Sequence, residues 1–213
     1  MVTTCSAAWA ALPVGAVHSL ELAHRSLLAG GLAVGSAIVD ESGAVVAAGR
    51  NRAYEPATGA DPLEGTPVAH AEMNAMARLE TEADTSRLTL WTTQQPCTMC
   101  AAAIDFIGIP TVVAIATDPS SPRVRADEVV DDVWVVLATT MFLTGPLRRG
   151  GRSHPMIRAN STHEPESVAL AERVVTGPHP LADELTLFDA LAATWDELSS
   201  AATQRDRRRA AAR

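Results

Sequence analysis

Two stretches decide how this chain is read: His70-Ala71-Glu72, and Thr92-Thr93-Gln94-Gln95-Pro96-Cys97-Thr98-Met99-Cys100. Cys97 and Cys100 stand three apart at the start of a predicted helix entered through Pro96, so both sulfurs can converge on one ion. The positive end of that helix favours thiolates. His70 opens another predicted helix and offers a neutral imidazole nitrogen. Three ligands is the number for a catalytic zinc that keeps its fourth position for water, whose pKa then falls to about 7. Glu72 lies two residues from His70, close to that water without having to be a ligand. A carboxylate there can take a proton from water and return it to a departing nitrogen, so the chemistry suited to the set is hydrolytic deamination. A structural zinc would want a fourth protein ligand, and Cys5, His18, His24, His154, His163 and His179 are at no ligand spacing to the motif. A redox Cys-x-x-C pair would leave His70 and Glu72 unexplained.

Working outward, residues 17–29 read as a helix ended by Gly30-Gly31. Residues 34–39 and 44–48 read as a hairpin joined by Asp40-Glu41-Ser42-Gly43. A loop with three prolines follows over 50–67, then a helix at 69–80, a strand at 88–92, a helix at 97–107 and a strand at 111–117. Residues 118–132 are polar with room for a short helix, and 133–138 read as a last strand. Residues 144–160 are rich in Gly, Pro and Arg and read as loop; helices are expected at 165–175 and 182–199, and a disordered tail from Gln204. The order predicts an α/β chain. A three-layer α/β/α domain with a mixed sheet of about five strands occupies 1–143, and a helical extension occupies 144–213, packed on that domain or on a partner subunit.

The two motifs resemble those of the cytidine deaminase-like superfamily, in its branch of nucleobase, nucleoside, deoxycytidylate and tRNA-adenosine zinc deaminases; the signature is H-x-E followed by P-C-x-x-C. The resemblance extends through Val34-Gly35-Ser36-Ala37-Ile38-Val39 and Gly49-Arg50-Asn51-Arg52 and covers about residues 17–137. It implies a Zn2+ cofactor held by His70, Cys97 and Cys100, with Glu72 catalytic. It also implies substrate contacts from Asn51 and from the backbone at Ala71, and a homodimer. Asn51 has a plainer reading as a turn former. Many relatives acting on guanine or tRNA adenosine have Glu directly before the Pro-Cys pair; this chain has Gln95.

Charge narrows the substrate. The chain has 17 basic residues, all Arg, against 25 acidic ones, for a net −8. Its last nine residues are +4, so the remainder is −12. Nucleic-acid affinity rests on cationic contacts to phosphate, so a nucleic acid is a poor partner and a small nucleobase or nucleoside, of guanine or cytosine type, a better one. The alternatives are a tRNA adenosine substrate, a specialised heterocycle of secondary metabolism, or a deoxycytidylate whose phosphate Arg50 and Arg52 would clamp. No run of about 18 apolar residues suggests a membrane span. Three cysteines without a signal peptide point to the cytoplasm. Cys5 reads as an inert thiol, Tyr54 and Trp91 as core or surface, the Phe188/Trp195 stripe as packing, and the Arg205–Arg213 run as a solvated tail.

Overall fold

The computed structural model describes residues 3–59, 61–117 and 130–212. β1 (Gly35–Val39) and β2 (Val45–Arg50) form the expected antiparallel hairpin. Asp40 closes its turn, its carboxylate accepting from the Ser42 and Ala44 amides at 2.8 and 3.0 Å. β3 (Thr89–Gln94) pairs antiparallel with β1, and β4 (Thr111–Ala116) pairs parallel with β3. The sheet order is β2-β1-β3-β4. A parallel pair needs a crossover, and α4 (Thr98–Ile107) supplies it.

Helices cover both faces of this sheet. After a short α1 (Cys5–Ala10), α2 (Val14–Leu28) packs with Trp91, Val113 and Ile115 on one face. The approach is close: a Cβ on Gly15 would lie 2.2 Å from the Trp91 ring. On the other face α3 (Ala71–Met76) and α4 enclose Ile38, Ala47, Leu90 and Ile104. The alternation of side chains along β3 sends Trp91 to the first layer and Leu90 to the second.

The second half differs from its sequence reading. Residues 133–138, expected as a fifth strand, belong to α5 (Asp132–Gly150), so the sheet has four strands among the described residues. Short apolar runs carry no period that separates a buried strand from a buried helix. Here the run from Trp134 to Leu147 is buried on every side, between the first layer and the helices that follow. The same burial keeps Pro146 inside a helix, where 144–160 reads as loop. The helix expected over 118–132 lies mostly outside the described residues. The expected division between residues 143 and 144 falls inside α5.

Beyond it come a 3-10 turn, α6 (Pro155–His163), α7 (Pro165–Thr176), a second such turn and α8 (Leu187–Ala211). α8 corrects the expectation of a disordered, solvated tail, because it stays helical through Gln204. Arg205 is 1% exposed and grips Glu164 with two 2.7 Å bonds and Asp132 with a third. Arg208 is paired with Glu166. Trp195 stacks tilted on Trp134 at 5.7 Å, and Phe188 lies 6.2 Å from Trp9, so that stripe is packing. No helix among the described residues is long and apolar enough to cross a membrane.

Candidate metal centre and active site

His70 and Cys97 occupy equivalent places: each is the extended residue that caps the start of a helix, α3 and α4 respectively. The two helix starts face each other on the same side of the sheet. α3 is held there by close backbone contact, since a Cβ on Gly49 would lie 2.4 Å from the Ala75 nitrogen and 2.7 Å from the Ala71 oxygen. Asn74 ties the end of β2 to the start of α3, donating from Nδ2 to Arg50 O at 2.9 Å and to Ala69 O at 3.2 Å.

The three expected ligands converge. Cys97 Sγ lies 3.7 Å from Cys100 Sγ, and His70 Nδ1 lies 3.6 Å from the first sulfur and 3.5 Å from the second. A tetrahedron with Zn–S of about 2.3 Å and Zn–N of about 2.0–2.1 Å has edges of about 3.8 Å between sulfurs and about 3.6 Å from sulfur to nitrogen. The triangle therefore fits zinc, on its dimensions and on its soft-sulfur and imidazole donors. Among the described residues no fourth His, Cys, Asp or Glu joins the group.

Glu72 is buried beside it. Its Oε2 accepts from Cys100 Sγ at 3.6 Å, and its Oε1 is 3.3 Å from the Thr92 hydroxyl. Burial raises the Glu72 carboxyl above the usual range. Burial, reinforced by the neighbouring Glu72 and Cys97, also pushes the Cys100 thiol up. A divalent cation reverses this for the sulfur, since a coordinating thiol is deprotonated.

Asn51 is buried at the end of β2 and serves first as the turn former: its Oδ1 accepts from the Ala53 amide at 3.1 Å. Its Nδ2 donates to nothing among the described residues. The Ala71 side chain is buried in a cluster with Val34, Phe142 and Leu143, so α5, from beyond the recognisable motifs, backs the start of α3. Arg50 and Arg52, the residues a phosphate clamp would use, are both engaged by carboxylates. Arg50 is paired with Glu55, and Arg52 with Glu55, Asp61 and Glu64, which stitches the 51–69 loop together. Tyr54 is 57% exposed beneath the Arg149 guanidinium, 3.9 Å from its centroid, and Trp91 is core. Two residues near the site went unread in the sequence: Thr92, on Glu72, and Gln94, whose side chain is buried. Period-two alternation from the core residue Leu90 is the signal that would have placed both on this face.

This arrangement sets helix-capping His and Cys around a buried acid on a β2-β1-β3-β4 sheet, with donors that fit a zinc ion. Residues 14–116 match the family model of the cytidine and deoxycytidylate deaminase zinc-binding region. It is similar to a tRNA-specific adenosine deaminase of Haemophilus influenzae, 33% identical over 104 residues, covering 47% of this chain and 56% of that protein. The chain thus spans about half the length of this curated relative. Among solved structures it resembles guanine deaminase from Bacillus subtilis, with 28% identity, 49% and 63% of the two chains covered, and a TM-score of 0.41. It also resembles guanine deaminase from Nitrosomonas europaea, with 23% identity, 76% and 84% covered, and a TM-score of 0.44.

Proposed function

We propose that the protein is a zinc-dependent hydrolytic deaminase of a small, unphosphorylated nucleobase or nucleoside with a guanine- or cytosine-type ring. The observation that carries this is the open triangle of His70, Cys97 and Cys100 with a buried acid, Glu72, at its edge. In the reaction the ring C–NH2 and water give ring C=O and ammonia. His70, Cys97 and Cys100 hold the metal. When bound, zinc supplies the Lewis acidity that makes water a nucleophile near neutral pH. Glu72 takes the proton that water loses and delivers it to the departing nitrogen; its buried carboxyl is suited to holding a proton between the two steps. Asn51, through its Nδ2, and the Ala71 main chain orient the ring.

An unphosphorylated substrate suits the site further, because the two arginines nearest the β2 end are already paired with carboxylates. The −12 charge of the chain before its last nine residues adds to this. A homodimer is part of the reading. Phe106 near the end of α4 is 91% exposed, an apolar side chain that a second copy would cover. Free thiols as ligands suit a cytoplasmic setting. The second reading is a tRNA adenosine substrate, favoured by the similarity to the Haemophilus influenzae protein.

Ammonia release tests both readings, assayed with guanine, cytosine, adenine, isoguanine, their nucleosides, deoxycytidylate and tRNA. We expect turnover of a neutral base or nucleoside, and its loss in zinc-loaded Glu72→Ala. Turnover of tRNA alone, or an undiminished Glu72→Ala enzyme, overturns the reading.

A further inference from the structure

Gln94 is the last residue of β3, and its carboxamide is out of keeping with its surroundings. The residue is 5% exposed, and its Nε2 is fully enclosed with no hydrogen-bond partner among the described residues. Among the described residues its amide donor is therefore unused. Both ends of an amide want partners, and leaving a buried one without them destabilises the folded chain. A sequence free to choose would place an apolar side chain here, as it does at Leu90 on the same strand face.

The direction of the side chain follows from the strand. Residues 90, 92 and 94 of β3 share one face. Leu90 on that face packs against α3 and α4, and the Thr92 hydroxyl reaches Glu72. Gln94 stands two residues further, about 6.6 Å along the strand, toward the carboxyl end and the start of α4 where Cys97 sits. Its register is fixed: it pairs with Ala116, and the next amide, Gln95 N, donates to Ala116 O at 2.8 Å. In a sheet of this kind ligands bind beyond the carboxyl ends of parallel strands, and β3 and β4 are the parallel pair.

We propose that Gln94 is a substrate-binding residue, whose Nε2–H group donates to a ring nitrogen or ring carbonyl of an uncharged heterocycle held between Glu72 and the start of α4. This rests on the function proposed above and adds a contact to it. Nε2 has no partner among the described residues because its partner arrives with the substrate. A polar residue kept for this purpose discriminates strongly, since a ring lacking the acceptor leaves the amide buried and unpaired.

The test compares the zinc-loaded full chain with Gln94→Met, which keeps length and volume and removes both polar ends. Calorimetric titration with cytidine, guanosine, adenosine and 8-azaguanine gives Kd, and melting without ligand gives Tm. We expect the best-bound probe to weaken by about tenfold or more, the factor one such hydrogen bond supplies. We also expect zinc content to be unchanged and the unliganded Tm to be equal or higher, because an orphaned polar group has been removed. Gln94→Glu, which keeps the shape and loses the donor, should weaken the same probe. An unchanged Kd in Gln94→Met overturns the proposal. So does a Tm lowered by several degrees, which would mean that the carboxamide is satisfied inside the fold. A wild type that binds none of the probes and deaminates none of the panel fails the function reading itself, and this proposal with it.

Discussion

Arg205 gives the sharpest stability prediction. Its guanidinium lies inside the protein, with Nε and one terminal nitrogen each 2.7 Å from a Glu164 oxygen, and Glu164 is itself buried. An exposed pair of this type is worth about 0.2–1 kcal/mol. A buried one behaves differently, because removing one partner strands the other charge in a low-dielectric site, at about 3–5 kcal/mol. The perturbation is Arg205→Met, which fills most of the volume. For a chain of this size each kcal/mol moves Tm by about 2–4 °C, so the expected fall is about 6–20 °C. The same loss should appear in urea denaturation at pH 7. Adding Glu164→Gln to Arg205→Met removes the stranded charge and should recover at least half of the loss. A single-variant loss under about 1 kcal/mol, or a double variant no better than the single, would refute the reasoning.

The remaining predictions concern the site and its supports. Gly49→Ala forces a Cβ to within 2.4 Å of the α3 backbone and should destabilise by about 1–3 kcal/mol while lowering zinc content, read by metal analysis; a fully zinc-loaded variant with wild-type Tm counts against the close-approach argument. Arg52→Met breaks a partly exposed network with three carboxylates and should lose about 1–2 kcal/mol at low salt, less at 0.5 M salt as a rough working concentration; a salt-independent loss contradicts the ion-pair account. Burial lowers the His24 pKa, so on acidification the unfolded chain gains a proton before the folded one. Unfolding free energy should therefore fall as pH drops through about 6.5, and fall less steeply in His24→Gln; equal slopes refute it. Removing zinc with a chelator should abolish ammonia release, and adding zinc back should restore it.

How much of this was legible in sequence depended on how local the determinants were. The hairpin, the β3-α4-β4 crossover and the metal triangle were readable because their signals sit within a few residues: the Asp40–Gly43 turn, the Pro96 entry, the spacing of Cys97 and Cys100. The plainer reading of Asn51 as a turn former is the one its Oδ1 displays, accepting from the Ala53 amide. The second half was misread because its determinants are distant. α5 looks like a strand followed by a loop, and only burial between two layers makes Trp134 to Leu147 a helix that tolerates Pro146. The C-terminal arginines looked like a solvated run because the partners of Arg205 lie 41 and 73 residues away. The pairing of Arg52 was hidden for the same reason: nothing local announces that it reaches Glu64 across the loop.

X-ray absorption at the zinc edge on the metal-loaded protein tests the central claim most directly. The account predicts one zinc per chain with two sulfurs at about 2.3 Å, one imidazole nitrogen at about 2.0–2.1 Å and a single light, exchangeable fourth neighbour. A site closed by a fourth protein side chain, or a protein that binds no zinc, would contradict it.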